Sequence, residues 1–229
     1  MFRGAITDIR RGEKRLGHRL GWVFLHTPAS TLSRKTRLFL IALNPQHKCH
    51  SRPQKSDEAG NAYRLRMWNG DRRSALQKQV CTFYKMLAEK LDCDWESLMD
   101  TSLAGNFCPY ASPSWYALSE KKKSIEFSVD LWSRIFRFCA PSAVVCLGKI
   151  SYDHIKDIAV GRGYREVRPP GKPVDTGWGR ITCTLTEMKG TRQLVIVRLP
   201  HLSRYKIFGR AGADRRFCPL IEKVAKRIA

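Results

Sequence analysis

The chain has 229 residues and carries 42 Lys and Arg against 20 Asp and Glu, a net charge of +22. The length suits one large α/β domain spanning 1–229, and no stretch nears the ~20 apolar residues that cross a bilayer. Charge interrupts MFRGAITDIRRGEKR from its third residue, which argues against a secretory leader, so a soluble, cytoplasmic protein is expected. The cation excess is spread over the whole chain and calls for a polyanionic partner, bound through its phosphates with strong salt dependence. No basic amphipathic stretch offers the clean apolar face of a membrane-surface helix.

Residues 1–20 read as a basic arm, with Arg10, Arg11, Lys14, Arg15 and Arg19 outnumbering Asp8 and Glu13. GWVFLHTP (21–28) and RLFLIALNP (37–45) follow as strands, and the second stops abruptly at Asn44-Pro45. Residues 46–73 form a long polar loop holding Tyr63 and Trp68; loops of that length in compact domains are usually functional. From Ser74, apolar residues at 76, 80, 83, 84, 87 and 91 recur at helical spacing, giving an amphipathic helix capped by Ser74.

SLAGNF (102–107) is a short strand candidate, and the irregular stretch NFCPYASPSW begins at its end. Ile125 to Phe138 reads as a helix, APSAVVCLGK (140–149) as a buried strand entering a helix near Ser151, and 179–188 and 192–201 as two more strands. A terminal helix covers Asp214 to Ile228. None of the eight cysteines forms a CxxC pair and several lie in apolar runs, so reduced thiols are expected. His47, Cys49 and His50 have metal-binding chemistry, but no second ligand pair of matching spacing exists, and no metal or other cofactor is expected.

Apolar strands alternating with helices indicate a three-layer α/β/α sandwich around a mainly parallel four-stranded sheet, with extra edge strands. Ligands of such sheets bind at the carboxyl ends of the strands. Four runs end there in Asn44, Asn106, Gly148-Lys149 and His201, so two carboxamides and an imidazole arrive at one edge.

Over roughly 37–208 the order of these segments resembles the uracil-DNA glycosylase superfamily. Ala42-Leu43-Asn44-Pro45-Gln46-His47 is similar to the family's first motif, Asn106 in GNFCPYAS to its base-reading Asn, VVCLGKISY (144–152) to its third strand motif, and His201-Leu202-Ser203 to its H-P-S motif. Ala42 and Leu202 depart from the family's Gly and Pro. The resemblance implies a monomeric, monofunctional DNA glycosylase that flips a pyrimidine nucleotide and hydrolyses its N-glycosidic bond, leaving an abasic site. It gives Asn44 the attacking water, His201 the base oxygen and Asn106 the Watson–Crick edge.

Gln46 stands where the uracil-specific branch carries an aromatic against C5 of the base. Together with the loop 46–73 it suggests a C5-enlarged cytosine, such as glucosylated hydroxymethylcytosine in phage DNA, and an antiviral role like that of glycosylases acting on modified phages. Uracil or mismatch repair is the alternative. His47 would line the base site, and Tyr63, Trp68 or Phe107 would stack on the base. Lys149, Ser203 and Arg204 would hold DNA, and Tyr205, four positions after the His, would fill the gap in the duplex. Two other classes stand beside this one: a non-catalytic DNA-binding module on the same fold, and a metal nuclease built on Asp57, Glu58 and Asp71.

Overall fold

The computed structural model describes residues 1–46, 53–167 and 173–229. Its frame is a seven-stranded sheet in the order β2-β1-β3-β7-β6-β4, with β5 pairing β6. The strands are β1 (Leu38–Ala42), β2 (Leu103–Asn106), β3 (Ala143–Leu147), β4 (Arg165–Glu166), β5 (Val174–Trp178), β6 (Ile181–Lys189) and β7 (Gln193–Leu199). β2, β1, β3 and β7 run parallel, while β6 returns antiparallel and carries β4 and β5 along its length. This is the expected α/β sandwich: a parallel four-stranded centre with extra strands at one side.

Strand periodicity divides the interior into two cores. Phe39, Ile41, Val144, Cys146 and Ile196 face a layer made by α1 (Phe2–Arg15), α5 (Lys121–Cys139) and α6 (Lys149–Gly161). Leu38, Leu40, Val145, Val195 and Val197 face α3 (Ala75–Leu91) and α7 (Ala213–Ile228). Two short helices, α2 (Ala62–Leu65) and α4 (Trp95–Thr101), complete the second layer. Ser74 caps α3 in a full capping box: its hydroxyl accepts from Gln77 N, and the Gln77 carboxamide accepts from Ser74 N. Such a cap stabilises by about 1 kcal/mol.

Three expectations need correction. The basic arm is the helix α1, whose Ala5, Ile6 and Ile9 are buried in the first core; its basic residues obscure an apolar stripe at helical spacing. The segment 21–28 is extended and buried but joins its neighbours through isolated bridges rather than a ladder. It lies antiparallel on the outer side of β2, with His26 N donating to Ala104 O at 2.8 Å and Asn106 N to Phe24 O at 3.0 Å. That approach is close enough to require Gly105, where an added Cβ would meet Phe24 O at 2.8 Å. Finally, α2 and α4 form where a loop and an unassigned connection were expected.

Candidate functional site

The parallel register fixes which residues share an edge. Ala42 pairs with Asn106 across β1 and β2, and Leu147 pairs with Leu199 across β3 and β7. Asn106, Asn44, Lys149 and His201 therefore emerge in that order along the carboxyl edge. Neighbouring strands are ~4.8 Å apart, so β7 lies roughly 10 Å from β1 across β3.

Beyond β1 and β2 the two chains stay joined. Phe107 N and Cys108 N each donate at 2.8 Å, to Ala42 O and Leu43 O, and Ser112 N donates to Pro45 O at 3.2 Å. Asn44 is half-buried on this extension. Its Nδ2 donates to Ser112 Oγ at 2.8 Å and to Pro45 O at 3.3 Å. The Ser112 hydroxyl gives its own proton to Ser114 O at 2.8 Å, so toward Asn44 it can only accept. That settles which end of the carboxamide faces the scaffold.

Asn106 is held by the same logic on the second-core face of β2. It is 1% exposed, and its Nδ2 donates to the Val23 carbonyl at 3.0 Å and meets His26 Nε2 at 3.1 Å. A backbone carbonyl can only accept, which fixes the amide; His26 Nε2 is then the acceptor and its ring proton sits on Nδ1. His26 is itself clamped edge-on by Tyr63 at 5.2 Å and by Trp68 at 5.6 Å. Both asparagines thus bind the scaffold through nitrogen. Among the described residues neither carboxamide oxygen has a partner, which leaves two acceptors for a ligand.

His201 stands in a different setting. It is exposed just after β7, with Nδ1 2.7 Å from Ser203 Oγ. The protein mass around the ring lowers its pKa below the usual 6.5, and the Arg204 guanidinium adds to the shift, so the ring is neutral at pH 7. Leu202 is fully buried and anchors the turn by packing, while the Arg204 and Tyr205 amides donate back to His201 O at 2.9 and 3.2 Å.

The remaining expected residues divide. Gln46 is exposed and bridges in parallel to Ser112, beside Asn44. Tyr63 is buried and Trp68 partly so, both packed around His26; they support the Asn106 clamp. Phe107 is a correction. It follows Asn106 on the strand and so faces the other core, 0% exposed and stacked on His154 at 5.1 Å, which removes it as a base-stacking group. Ser203, Arg204 and Lys149 are exposed, although Lys149 also pairs with Asp153. His47 and the metal candidates His47, Cys49 and His50 lie outside the described residues.

Two of the three nuclease acids have structural partners instead, and Asp71 is exposed beside Arg72. Asp57 is buried and paired with Arg66, and Glu58 accepts from Ala29 N at 3.1 Å. Among the described residues no three His, Cys, Asp or Glu side chains gather in a metal-binding group.

Three contributors were missed in the sequence. His26 and Ser112 orient the two carboxamides, and nothing in their local sequence marks them. Trp178, at the tip of the β5–β6 hairpin, is 41% exposed. Its ring carries the Arg210 guanidinium at 4.9 Å and meets Tyr205 edge-on at 6.0 Å, and its Nε1 donates to Lys206 O at 3.1 Å. The hairpin tip and the segment after His201 therefore form one aromatic and basic surface.

Comparison of the chain with protein-family models and with curated proteins finds no match. No helix among the described residues is long and apolar enough to cross a membrane.

Proposed function

We propose that the protein is a monofunctional DNA glycosylase acting on a flipped cytosine that bears an enlarged C5 substituent. The observation that carries this reading is the pair of anchored carboxamides, with nitrogens bound to the scaffold and oxygens without a partner among the described residues. An oxygen at Asn106 accepts from the exocyclic amine of cytosine; the O4 of uracil in the same place would meet it lone pair to lone pair. The oxygen of Asn44 accepts from a water and directs its lone pair toward the anomeric carbon.

Departure of the base builds negative charge on its O2. With the Ser203 hydroxyl donating to Nδ1, neutral His201 keeps its proton on Nε2 and offers it to that oxygen. Gln46, exposed beside Asn44, replaces an aromatic wall with a polar side chain and leaves space at C5. The cationic surface offsets the few kcal/mol needed to unstack the nucleotide. The biological setting that fits is defence against phage DNA carrying glucosylated hydroxymethylcytosine.

The test is to incubate the protein with three duplexes, carrying uracil, hydroxymethylcytosine or its glucosylated form, and to score alkali-labile abasic sites. Breakage confined to a modified-cytosine duplex is expected. Breakage of the uracil duplex alone would reject the cytosine assignment and leave base-excision repair. Full DNA binding with no breakage of any duplex, unchanged by Asn44→Ala and His201→Ala, would mark a binding module.

A further inference from the structure

We propose that the opposite end of the sheet holds a second polyanion site, a cavity that takes a run of adjacent phosphate groups. The cavity measures about 470 Å³, and Arg34, Lys35, Arg37, Arg192, Lys226 and Arg227 contribute to its wall. No carboxylate side chain stands among the described lining residues.

The wall is rigidly founded. Arg37 immediately precedes β1 and Arg192 immediately precedes β7, while Lys226 and Arg227 lie in the last turn of α7. Arg37 O accepts from Ser142 N at 2.9 Å and Ala143 N at 3.0 Å, and Ser142 O accepts from Val195 N at 3.0 Å. These bonds stitch the starts of three strands together beneath the charges.

Part of the charge has an internal explanation. Arg37 donates to Ala229 O, Arg34 lies 5.6 Å over the Phe138 ring, and Arg227 reaches the Gln193 side chain and, at 3.8 Å, Glu187. The negative end of α7 favours Lys226 in its last turn. Lys35 and Arg192 have no ion-pair partner among the described residues and are exposed on loops, although the C-terminal ends of both α5, at Ala140, and α7 border the same cavity. Like charges facing one concavity repel each other and focus a strong positive potential into it. One carboxylate would answer a single charge of the six; consecutive phosphates answer several in the same volume.

Position makes this a site of its own. The cavity lies at the amino ends of β1, β3 and β7, and Asn44 and His201 follow their carboxyl ends. The five residues of β3 alone separate the two by roughly 17 Å. A duplex lying on the carboxyl edge does not enter the cavity, so its ligand is a separate oligophosphate or a second stretch of nucleic-acid backbone. The inference stands independently of any glycosylase activity.

The experiment titrates the full chain at low salt with inorganic tripolyphosphate and, separately, with a single-stranded oligodeoxynucleotide. It compares wild type, the combined variant Lys35→Gln/Arg192→Gln/Lys226→Gln, and a carboxyl-edge control, Arg204→Gln/Arg210→Gln. The cavity variant is expected to lose about tenfold or more in affinity for at least one probe, with a salt slope shallower by about 2 to 3. Its ligand-free melting temperature should be unchanged or higher, because repulsion is relieved. The probe that responds names the source of the phosphates, and the control should retain tripolyphosphate binding. Unchanged affinity for both probes, or an equal loss in the control, would overturn the proposal.

Discussion

The two halves of the carboxyl edge are built on opposite plans. On the β1–β2 side the polar groups are sunk into the scaffold: Asn106 is 1% exposed and its amide is fixed by Val23 and His26, while Asn44 is fixed by Ser112. On the β7 side His201, Ser203, Arg204, Lys206 and Arg210 are exposed, beside a half-open Trp178. A buried donor or acceptor admits one ligand geometry, because a mismatch leaves it unpaired at a cost of ~1–3 kcal/mol. An exposed cation tolerates many partners. On the proposed function, the first half would decide which base is accepted, and the second would gather nucleic acid and present the His201 donor.

The strongest way to break this division is to remove the donor. His201→Ala should lower kcat by about 10²–10³ while leaving DNA affinity and melting temperature nearly unchanged, as single-turnover kinetics beside a binding titration would show. A comparable fall in affinity would mean that His201 only holds DNA. His26→Ala tests the opposite half. It removes a buried partner of Asn106 and should cost about 1–3 kcal/mol of stability in denaturant unfolding. With the Asn106 amide held by the Val23 carbonyl alone, discrimination between cytosine-type and uracil-type duplexes should narrow.

Trp178→Ala should weaken single-stranded DNA by about 1–3 kcal/mol, the scale of one base stacked on one aromatic, with a modest fall in melting temperature from the lost hydrogen bond to Lys206 O. Fluorescence anisotropy measures it, and an unchanged affinity would restrict the binding surface to the cations. The smallest effect expected is on titration. The His201 pKa lies below 6.5 through desolvation and Arg204, so the folded state favours the neutral ring. Its contribution is complete above the unfolded value of about 6.5 and is lost as pH falls from there through the folded pKa. In an NMR titration the ring should titrate below 6.5, and Arg204→Gln should move it upward.

The same contrast explains what the sequence made legible. The parallel strands announced themselves because a strand covered on both faces is an unbroken apolar run, as in LFLIA and AVVCL, and the end of such a run points to the ligand edge. Asn44, Asn106 and His201 could be placed on that edge for this reason alone. Their supports could not. His26 sits in a segment that pairs with β2 only through tertiary approach, and Ser112 in an irregular stretch; neither has a periodic signature. Phe107 was misjudged by one residue of strand alternation, which sends it into the far core while its neighbour faces the other. α1 escaped notice because basic residues dominate its composition although Ala5, Ile6 and Ile9 set its packing.

Gly105 gives the β1–β2 half of the edge a remote lever. A methyl group there would collide with the Phe24 carbonyl at 2.8 Å and push the neighbouring segment outward, carrying Val23 and His26 with it. On the proposed function, the choice of base would thus be retuned from a glycine that itself makes no contact with the base.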